Sequence, residues 1–173
     1  MIKKFISYYK PYKKLFILDL IVATIATICS LIYPMMTRVL INETIPNKEI
    51  KVIGIFAIIL MLLYLIKAGC CYFMQYFGHL VGVGMQADMR RDMFNHLEEL
   101  PNSYFDNNRT GDLMSRMIND LMEISELAHH GPEDLFISIV MFLGSFIILS
   151  TINIPLTILV FAFVPFIVIF TLK

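Results

Sequence analysis

The sequence predicts an all-α protein, a polytopic membrane bundle with long helices that extend into the cytosol. Its 173 residues are 58% hydrophobic and only 16% charged, whereas about a quarter of the residues in a soluble domain are charged. The mean hydropathy is +0.73. Four apolar stretches are long enough to cross a membrane, and a polar stretch with helical periodicity separates the second from the third.

The net charge and the cysteine pattern argue against a nucleic-acid partner, a disulfide framework and a cysteine metal site. Fourteen basic and fourteen acidic residues give a formal net charge of zero, so nothing favours a nucleic-acid partner. The cysteines Cys29, Cys70 and Cys71 lie in apolar stretches without a CxxC pair. We therefore expect small buried or lipid-facing side chains there, with no disulfide framework and no metal site.

Residues 1–14 predict a short amphipathic helix that Pro11 ends. Ile2, Phe5, Ile6 and Tyr9 share one face, with lysines opposite. This pattern is typical of a helix in the membrane interface; the alternative is a frayed basic tail. The next apolar run is too long for a cleaved signal peptide and is read as an uncleaved first span.

The first span is predicted at residues 15–41. Asp19 lies near its start and Arg38 near its end, where charged side chains can reach the membrane surface. Pro34 inside the span predicts a kink. A short polar loop, 42–51, follows.

The second span is predicted at residues 52–84 and contains one deep cation, Lys67. An intramembrane charge indicates a functional site, although a lysine that snorkels or faces a wet cavity fits equally well. Gly78, Gly82 and Gly84 predict close helix packing rather than a phosphate loop.

Residues 85–132 predict a helical hairpin outside the membrane, with a turn at PNSYFDNNRTG, 101–111. Apolar residues three or four positions apart mark one face of each arm: Met85, Met89, Met93, Leu97 and Leu100, then Leu113, Met117, Leu121, Ile124 and Ala128. The run His129–Pro132 is expected to end the second arm. Spans at 133–150 and 155–173 follow, the last with Pro165 inside.

The orientation follows from lysine and arginine in short loops. The N-terminal segment has five of these residues, the hairpin four, the 42–51 loop two and the 150–155 turn none. We therefore expect a multi-pass protein of the plasma membrane whose N-terminus and hairpin are cytoplasmic. Tyr104 and Phe105 at the hairpin tip suggest a knob for a cytosolic protein. A hairpin whose charge pairs only keep it folded fits these residues equally well.

The stretch SYFDNNRTGDLMSRMINDL, 103–121, resembles the first intracellular loop of ABC exporters (type I ABC transporters). That family typically has an aromatic pair, a short turn, T-G-x-L-x-S-R and a downstream aspartate. RRDMFNHLEELP, 90–101, KPYKK, 10–14, and YPMMTRVLIN, 33–42, also resemble the family, so the resemblance covers essentially the whole chain. The matching loop residues are Tyr104, Phe105, Thr110, Gly111, Leu113, Ser115, Arg116 and Asp120.

The resemblance implies a coupling helix at Phe105–Gly111 that docks on a nucleotide-binding domain. The implied docking residues are Tyr104, Phe105, Asp106, Asn107, Asn108, Arg109, Thr110 and Gly111. Gly111 would permit a sharp exit from the turn. Ser115, Arg116 and Asp120 would brace the hairpin, the last two as an i, i+4 pair.

The chain has no G-x-x-x-x-G-K-[ST] motif, so it has no phosphate loop of that type. The resemblance places ATP and Mg²⁺ in a nucleotide-binding domain outside this chain and implies a second transmembrane half, identical or different. No catalytic residue is expected here. The family has six spans, so we expect the chain to be the N-terminal part of a half-transporter for an amphipathic substrate. Met35, Met36 and Lys67 are cavity candidates.

Two alternatives stay open at this level. The chain could be a complete four-span scaffold or regulatory protein that offers its hairpin to a soluble partner; the apolar ending FTLK favours a truncated transporter instead.

His129 and His130 could bind a metal, but neighbouring histidines point different ways on a helix and no third ligand has a useful spacing. We expect an interfacial helix end there and no metal.

Overall fold

The computed structural model describes residues 2–171, apart from the side chains of Ile2 and Asn107, and in this part every regular element is helical. In chain order, the elements are α1 (Ile2–Ser7), α2 (Lys13–Val39) with a π-helical turn (Leu40–Thr44), α3 (Ile50–Glu98), α4 (Asn102–Asn107), α5 (Thr110–Ser115) with a second π-helical turn (Arg116–Asp120), α6 (Leu121–Ile152), α7 (Ile154–Ala162) and α8 (Val164–Thr171). The all-helical fold class predicted from the sequence is confirmed.

Four helical segments of the described chain are long and apolar enough to cross a membrane: Lys13–Thr44, Ile50–Glu98, Thr110–Ile152 and Ile154–Thr171. The 49 residues of α3 extend about 73 Å at 1.5 Å per residue, more than twice the hydrocarbon thickness of a bilayer. The two middle segments therefore project well beyond a membrane. Their projecting parts form the helical hairpin.

The polypeptide does not leave the helix at His129–Pro132, contrary to the sequence prediction, because α6 continues through this run to Ile152. Pro132 has no N–H to donate to the carbonyl of Ala128, four residues earlier. The hydroxyl of Tyr9 donates to that carbonyl at 2.6 Å instead. A hydrogen bond from the segment between α1 and α2 therefore satisfies the carbonyl that the proline leaves free.

Other boundaries differ less. The 42–51 loop is shorter than expected because the helical path reaches Thr44, and Lys48 takes a positive φ of 54° in the link to α3. The predicted turn before the last span is present: Asn153 begins α7, and its side chain accepts a hydrogen bond from the amide of Leu156. The last helical segment is interrupted at Phe163.

The described core lies at the base of the hairpin. Buried Val81, Met85 and Met89 of α3 pack with Leu121 and Ala128 of α6. The predicted arm faces are therefore confirmed near the base, whereas Met93 and Ile124 are each 37% exposed. Few residues are buried elsewhere along the apolar helices, so lipid or another subunit must cover most of their surface.

Gly78, Gly82 and Gly84 of α3 let other parts of the chain approach closely, as predicted. A Cβ at Gly78 would lie 1.8 Å from Cε1 of His129, and one at Gly82 would lie 3.1 Å from Oγ of Ser125. A Cβ at Gly84 would lie 2.6 Å from the ring of Tyr12. Two of these glycines thus hold α3 against α6, and the third makes room for the N-terminal segment.

Candidate functional site

The tip of the hairpin is the short helix α4, which begins directly after Pro101 and ends at Asn107. It starts and stops earlier than the expected coupling helix at Phe105–Gly111, because Asn108 and Arg109 are extended and separate α4 from α5. The Asn108 side-chain amide donates to the carbonyl of Tyr104 at 2.8 Å. This bond satisfies one of the carbonyls at the end of α4.

The predicted turn residue Gly111 is helical. It lies in the first turn of α5, and no glycine in the described residues has a positive φ. A Cβ there would have no described atom within 4 Å. The backbone thus leaves the tip through the extended residues Asn108 and Arg109, and this position does not require glycine.

The tip presents polar side chains above an apolar groove. Tyr104 and Phe105 meet edge to face, with ring centroids 5.6 Å apart. Phe105 lines a groove of about 210 Å³ between the two arms, together with Phe94, Leu97, Glu98, Thr110, Leu113, Met114 and Met117. Asp106 and Arg109 are exposed. An aromatic pair anchored at its base and surrounded by exposed charge suits docking on a protein surface.

The expected bracing residues lie in or beside the π-helical turn Arg116–Asp120. The Asn119 side chain donates to Oγ of Ser115 at 3.2 Å. The ion pairs formed by described residues do not include one between Arg116 and Asp120. A π-helical turn has a longer repeat than an α-helix, so residues four apart are less well aligned there.

The N-terminal segment packs against the hairpin, which the sequence analysis did not foresee. The hydroxyls of Tyr8 and Tyr12 donate to the carboxylates of Asp92 at 2.6 Å and Asp88 at 3.0 Å. Burial, followed by the bond to Asp92, raises the pKa of Tyr8 to about 12, so the phenol remains a donor at neutral pH. With the Tyr9–Ala128 bond, three hydrogen bonds tie residues 8–12 to α3 and α6.

A cluster of ionisable side chains lies beside this contact, where α3 meets α6. His129 Nε2 is 3.5 Å from a Glu133 carboxylate oxygen, and His130 Nε2 is 3.5 Å from one of Glu126. His79 of α3 joins them, with its ring centroid 5.4 Å from that of His129. The premise that no third metal ligand is available is therefore wrong, because Glu126 and Glu133 supply i, i+4 partners and His79 comes from another helix.

Asp19 of α2 is fully buried among the described residues. Both of its carboxylate oxygens lack a hydrogen-bond partner among the described residues. It lies within electrostatic range of Glu133. A carboxylate in such surroundings is costly unless a cation, a proton or another chain compensates it.

The three cavity candidates do not line a common cavity. Met35 lines a cavity of about 290 Å³ with Pro34, Arg38 and residues of α6. Lys67 lines a separate cavity of about 250 Å³ beside Tyr33 and Tyr64. Met36 lines neither. Their shared role in a substrate path remains a prediction.

Sequence reasoning missed Asp88, Asp92 and His79, and it assigned Glu133 only to a helix start. A signal was available for Glu126 and Glu133, because each is four positions from a histidine. No local signal marks His79, whose partners lie about fifty positions away and meet it only after α3 and α6 pack.

The profile of the family described as "ABC transporter transmembrane region" matches residues 16–173. The chain is 40% identical over 168 residues to the uncharacterized ABC transporter ATP-binding protein YwjA of Bacillus subtilis, an alignment that covers 97% of the chain and 29% of the relative. It is 23% identical over 171 residues to the putative multidrug export ATP-binding/permease protein YgaD of Bacillus subtilis, covering 95% and 30%. It is 26% identical over 162 residues to the ATP-dependent lipid A-core flippase of Thiobacillus denitrificans, covering 94% and 28%. The chain thus spans less than a third of the length of these relatives.

Proposed function

Because this chain belongs to the ABC transporter transmembrane region family, we propose that it forms part of the substrate path of an ATP-driven exporter and couples that path to a nucleotide-binding domain. The family membership favours this role over a four-span scaffold. ATP and Mg²⁺ act in the nucleotide-binding domain, outside this chain. The chain contributes the moving helices and their docking surface.

The observation that carries the coupling role is the continuity of the helices that flank the tip. Ile50–Glu98 leads into α4, and Thr110–Ile152 leads away from it. Each segment has an apolar stretch of membrane-spanning length. Packed helices move largely as rigid bodies, so a displacement of α4 is transmitted along both segments. The proposed docking residues are those of the tip, Tyr104–Gly111.

The excess of lysine and arginine in the N-terminal segment and hairpin supports a cytoplasmic position for both, in the plasma membrane. A nucleotide-binding domain is cytosolic, so this orientation gives α4 access to it. During docking, the helical conformation of the arm next to the tip would then be stabilised by Ser115, Arg116 and Asp120.

A second transmembrane half, identical or different, is the proposed partner within the membrane. Its surface would cover part of the exposed apolar faces of α3 and α6. The names of two relatives, a putative multidrug export protein and a lipid A-core flippase, support an amphipathic substrate. Met35, Met36 and Lys67 are the residues proposed to approach it.

The test is to separate ATP hydrolysis from transport in the full-length protein reconstituted in liposomes. Phe105→Ala and Arg109→Ala are each expected to reduce transport of an amphipathic fluorescent substrate at least tenfold while basal ATP hydrolysis continues. Met122→Ala is the matched control, because Met122 is an exposed apolar residue of the same hairpin away from the tip. Transport at the wild-type rate in both tip variants would refute coupling through α4.

A further inference from the structure

We propose that His129, His130 and Glu133 bind one divalent transition-metal ion of the zinc class at the base of the hairpin. Each residue offers one ligand atom, and the three atoms lie within 4.8 Å of one another. The proposed export function does not require this site.

The distances suit a shared ion better than a direct bond. His129 Nε2 and the Glu133 oxygen are 3.5 Å apart, longer than the usual hydrogen-bond range of about 2.7–3.2 Å. Two ligand atoms at about 2.05 Å from a tetrahedral zinc ion are about 3.4 Å apart. An ion can therefore lie between these two groups with little movement of either.

The His129 imidazole is buried and packs directly against Gly78. The side chains of His129 and Glu133 are 3% and 6% exposed. Nδ1 of His129 has no hydrogen-bond partner among the described residues. Gly78 lies directly against the ring, where any Cβ would overlap it. The ligand atom is Nε2, so the buried ring and the buried carboxylate hold two ligand atoms side by side, in a place where Gly78 leaves room for the imidazole.

The donor set selects the metal class. Two imidazole nitrogens and one carboxylate oxygen suit zinc and its neighbours, whereas calcium and magnesium prefer oxygen ligands throughout. Three protein ligands leave a fourth position for water. His130 is half-buried, so it gives the ion a way in. The positive charge would also compensate the buried Asp19 carboxylate, which lies in electrostatic range of Glu133.

A second set, His79, Glu126 and His130, could hold an ion in the same region. It shares His130 with the first, so one ion would have to use one set or the other. In this set His79 and Glu126 are exposed, whereas His129 and Glu133 of the first set are buried. The buried set is therefore the better candidate.

The experiment measures Zn²⁺ binding by calorimetry to the full-length protein after treatment with a chelator. The variants His129→Asn and Glu133→Gln are expected to lose one equivalent of Zn²⁺ per chain or to bind it at least tenfold more weakly. His96→Asn is the matched control, because His96 has an exposed glutamate neighbour, Glu99, but no buried third ligand. Circular dichroism and size-exclusion profiles without metal show whether each variant still folds.

A second measurement covers the case in which a variant does not fold. The wild-type protein loaded with Co²⁺ is expected to show the visible absorption of a tetrahedral nitrogen and oxygen site, and added Zn²⁺ should remove it. No such band, or equal Zn²⁺ binding by wild type and both variants, would overturn the proposal. Loss of binding in His79→Asn and Glu126→Gln, with Glu133→Gln unaffected, would overturn it in favour of the exposed set.

Discussion

The hydroxyl of Tyr9 donates a 2.6 Å hydrogen bond to the carbonyl of Ala128, the acceptor that Pro132 leaves without its helical donor. Ala128 is almost completely buried, so water cannot easily replace the missing amide. The N-terminal segment therefore completes the hydrogen bonding of α6 at its proline. In the proposed exporter, this contact joins the N-terminal segment to one of the helices that would move.

Tyr9→Phe is expected to destabilise the protein by about 1–2 kcal/mol, because it leaves a buried carbonyl without a donor. The decisive comparison is with Pro132→Ala, which restores the amide donor to the Ala128 carbonyl. In that background, Tyr9→Phe should cost clearly less, giving a coupling energy of about 1 kcal/mol.

The measurement is the apparent melting temperature of the full-length protein in detergent, read by size-exclusion chromatography after heating. Tyr64→Phe is the control, since Tyr64 is largely exposed and its hydroxyl has no hydrogen-bond partner among the described residues. Equal effects of Tyr9→Phe in both backgrounds would show that the hydroxyl does not replace the amide.

Gly84→Ala is expected to separate the N-terminal segment from α3. Its methyl group would lie 2.6 Å from the Tyr12 ring, and such overpacking costs about 1–3 kcal/mol. Gly69→Ala is the matched control on the same helix, because no described atom lies within 4 Å of its added carbon. It should leave stability unchanged or raise it by roughly 0.5–1 kcal/mol.

Hydrogen exchange measured by mass spectrometry would locate the Gly84→Ala effect. We expect faster exchange in residues 2–12 in Gly84→Ala and an unchanged rate there in Gly69→Ala. Wild-type protection of this segment in Gly84→Ala would mean that the tyrosine ring simply moves aside.

Gly111→Ala distinguishes the sequence-based interpretation of the tip from the structure. If the turn required glycine at this position, Gly111→Ala would lose both stability and coupling. The structure predicts neither, because Gly111 is helical and its surroundings are open. Alanine should therefore be neutral or raise stability by up to roughly 1 kcal/mol. Melting temperature and ATP-driven transport would be measured together. If Gly111→Ala lost coupling at unchanged stability, the interpretation of Gly111 as a turn residue would be supported instead.

The fold could be predicted from the sequence because its evidence is local. Apolar runs of membrane-spanning length and arm faces such as Met85–Met89 are visible in short windows. The errors arise where a distant residue decides the outcome. Gly131 and Pro132 are ordinary helix-ending signals, yet α6 continues, and the carbonyl that Pro132 leaves free receives its donor from Tyr9, more than a hundred positions away.

The same distinction applies to the candidate sites. The tip residues form a local motif, so the sequence indicated their position to within a few residues, although not the ends of α4. The cluster at the base required His79 and His130 to meet across two helices and required Gly78 to make room for His129. The i, i+4 spacing of His129 and Glu133 was visible in the sequence, but the fit of Gly78 against the ring and the approach of His79 were not.

Asp19 gives the last prediction, which concerns a buried carboxylate with no hydrogen-bond partner among the described residues. If nothing compensates it, Asp19→Asn should raise the melting temperature of the full-length protein in chelator, because an amide avoids most of the cost of burying charge. Asp19→Leu should raise it further, since replacing uncompensated buried charge by an apolar side chain of similar volume is often stabilising by about 1–4 kcal/mol. Asp106→Asn, which changes an exposed carboxylate at the tip, is the control and should alter the melting temperature little.

The opposite order, with wild type the most stable, would show that Asp19 has a compensating partner in the assembled protein. Repeating the series with Zn²⁺ would then separate two sources: a metal at His129 and Glu133 should reduce the advantage of Asp19→Leu, whereas a partner subunit should act equally with and without the ion.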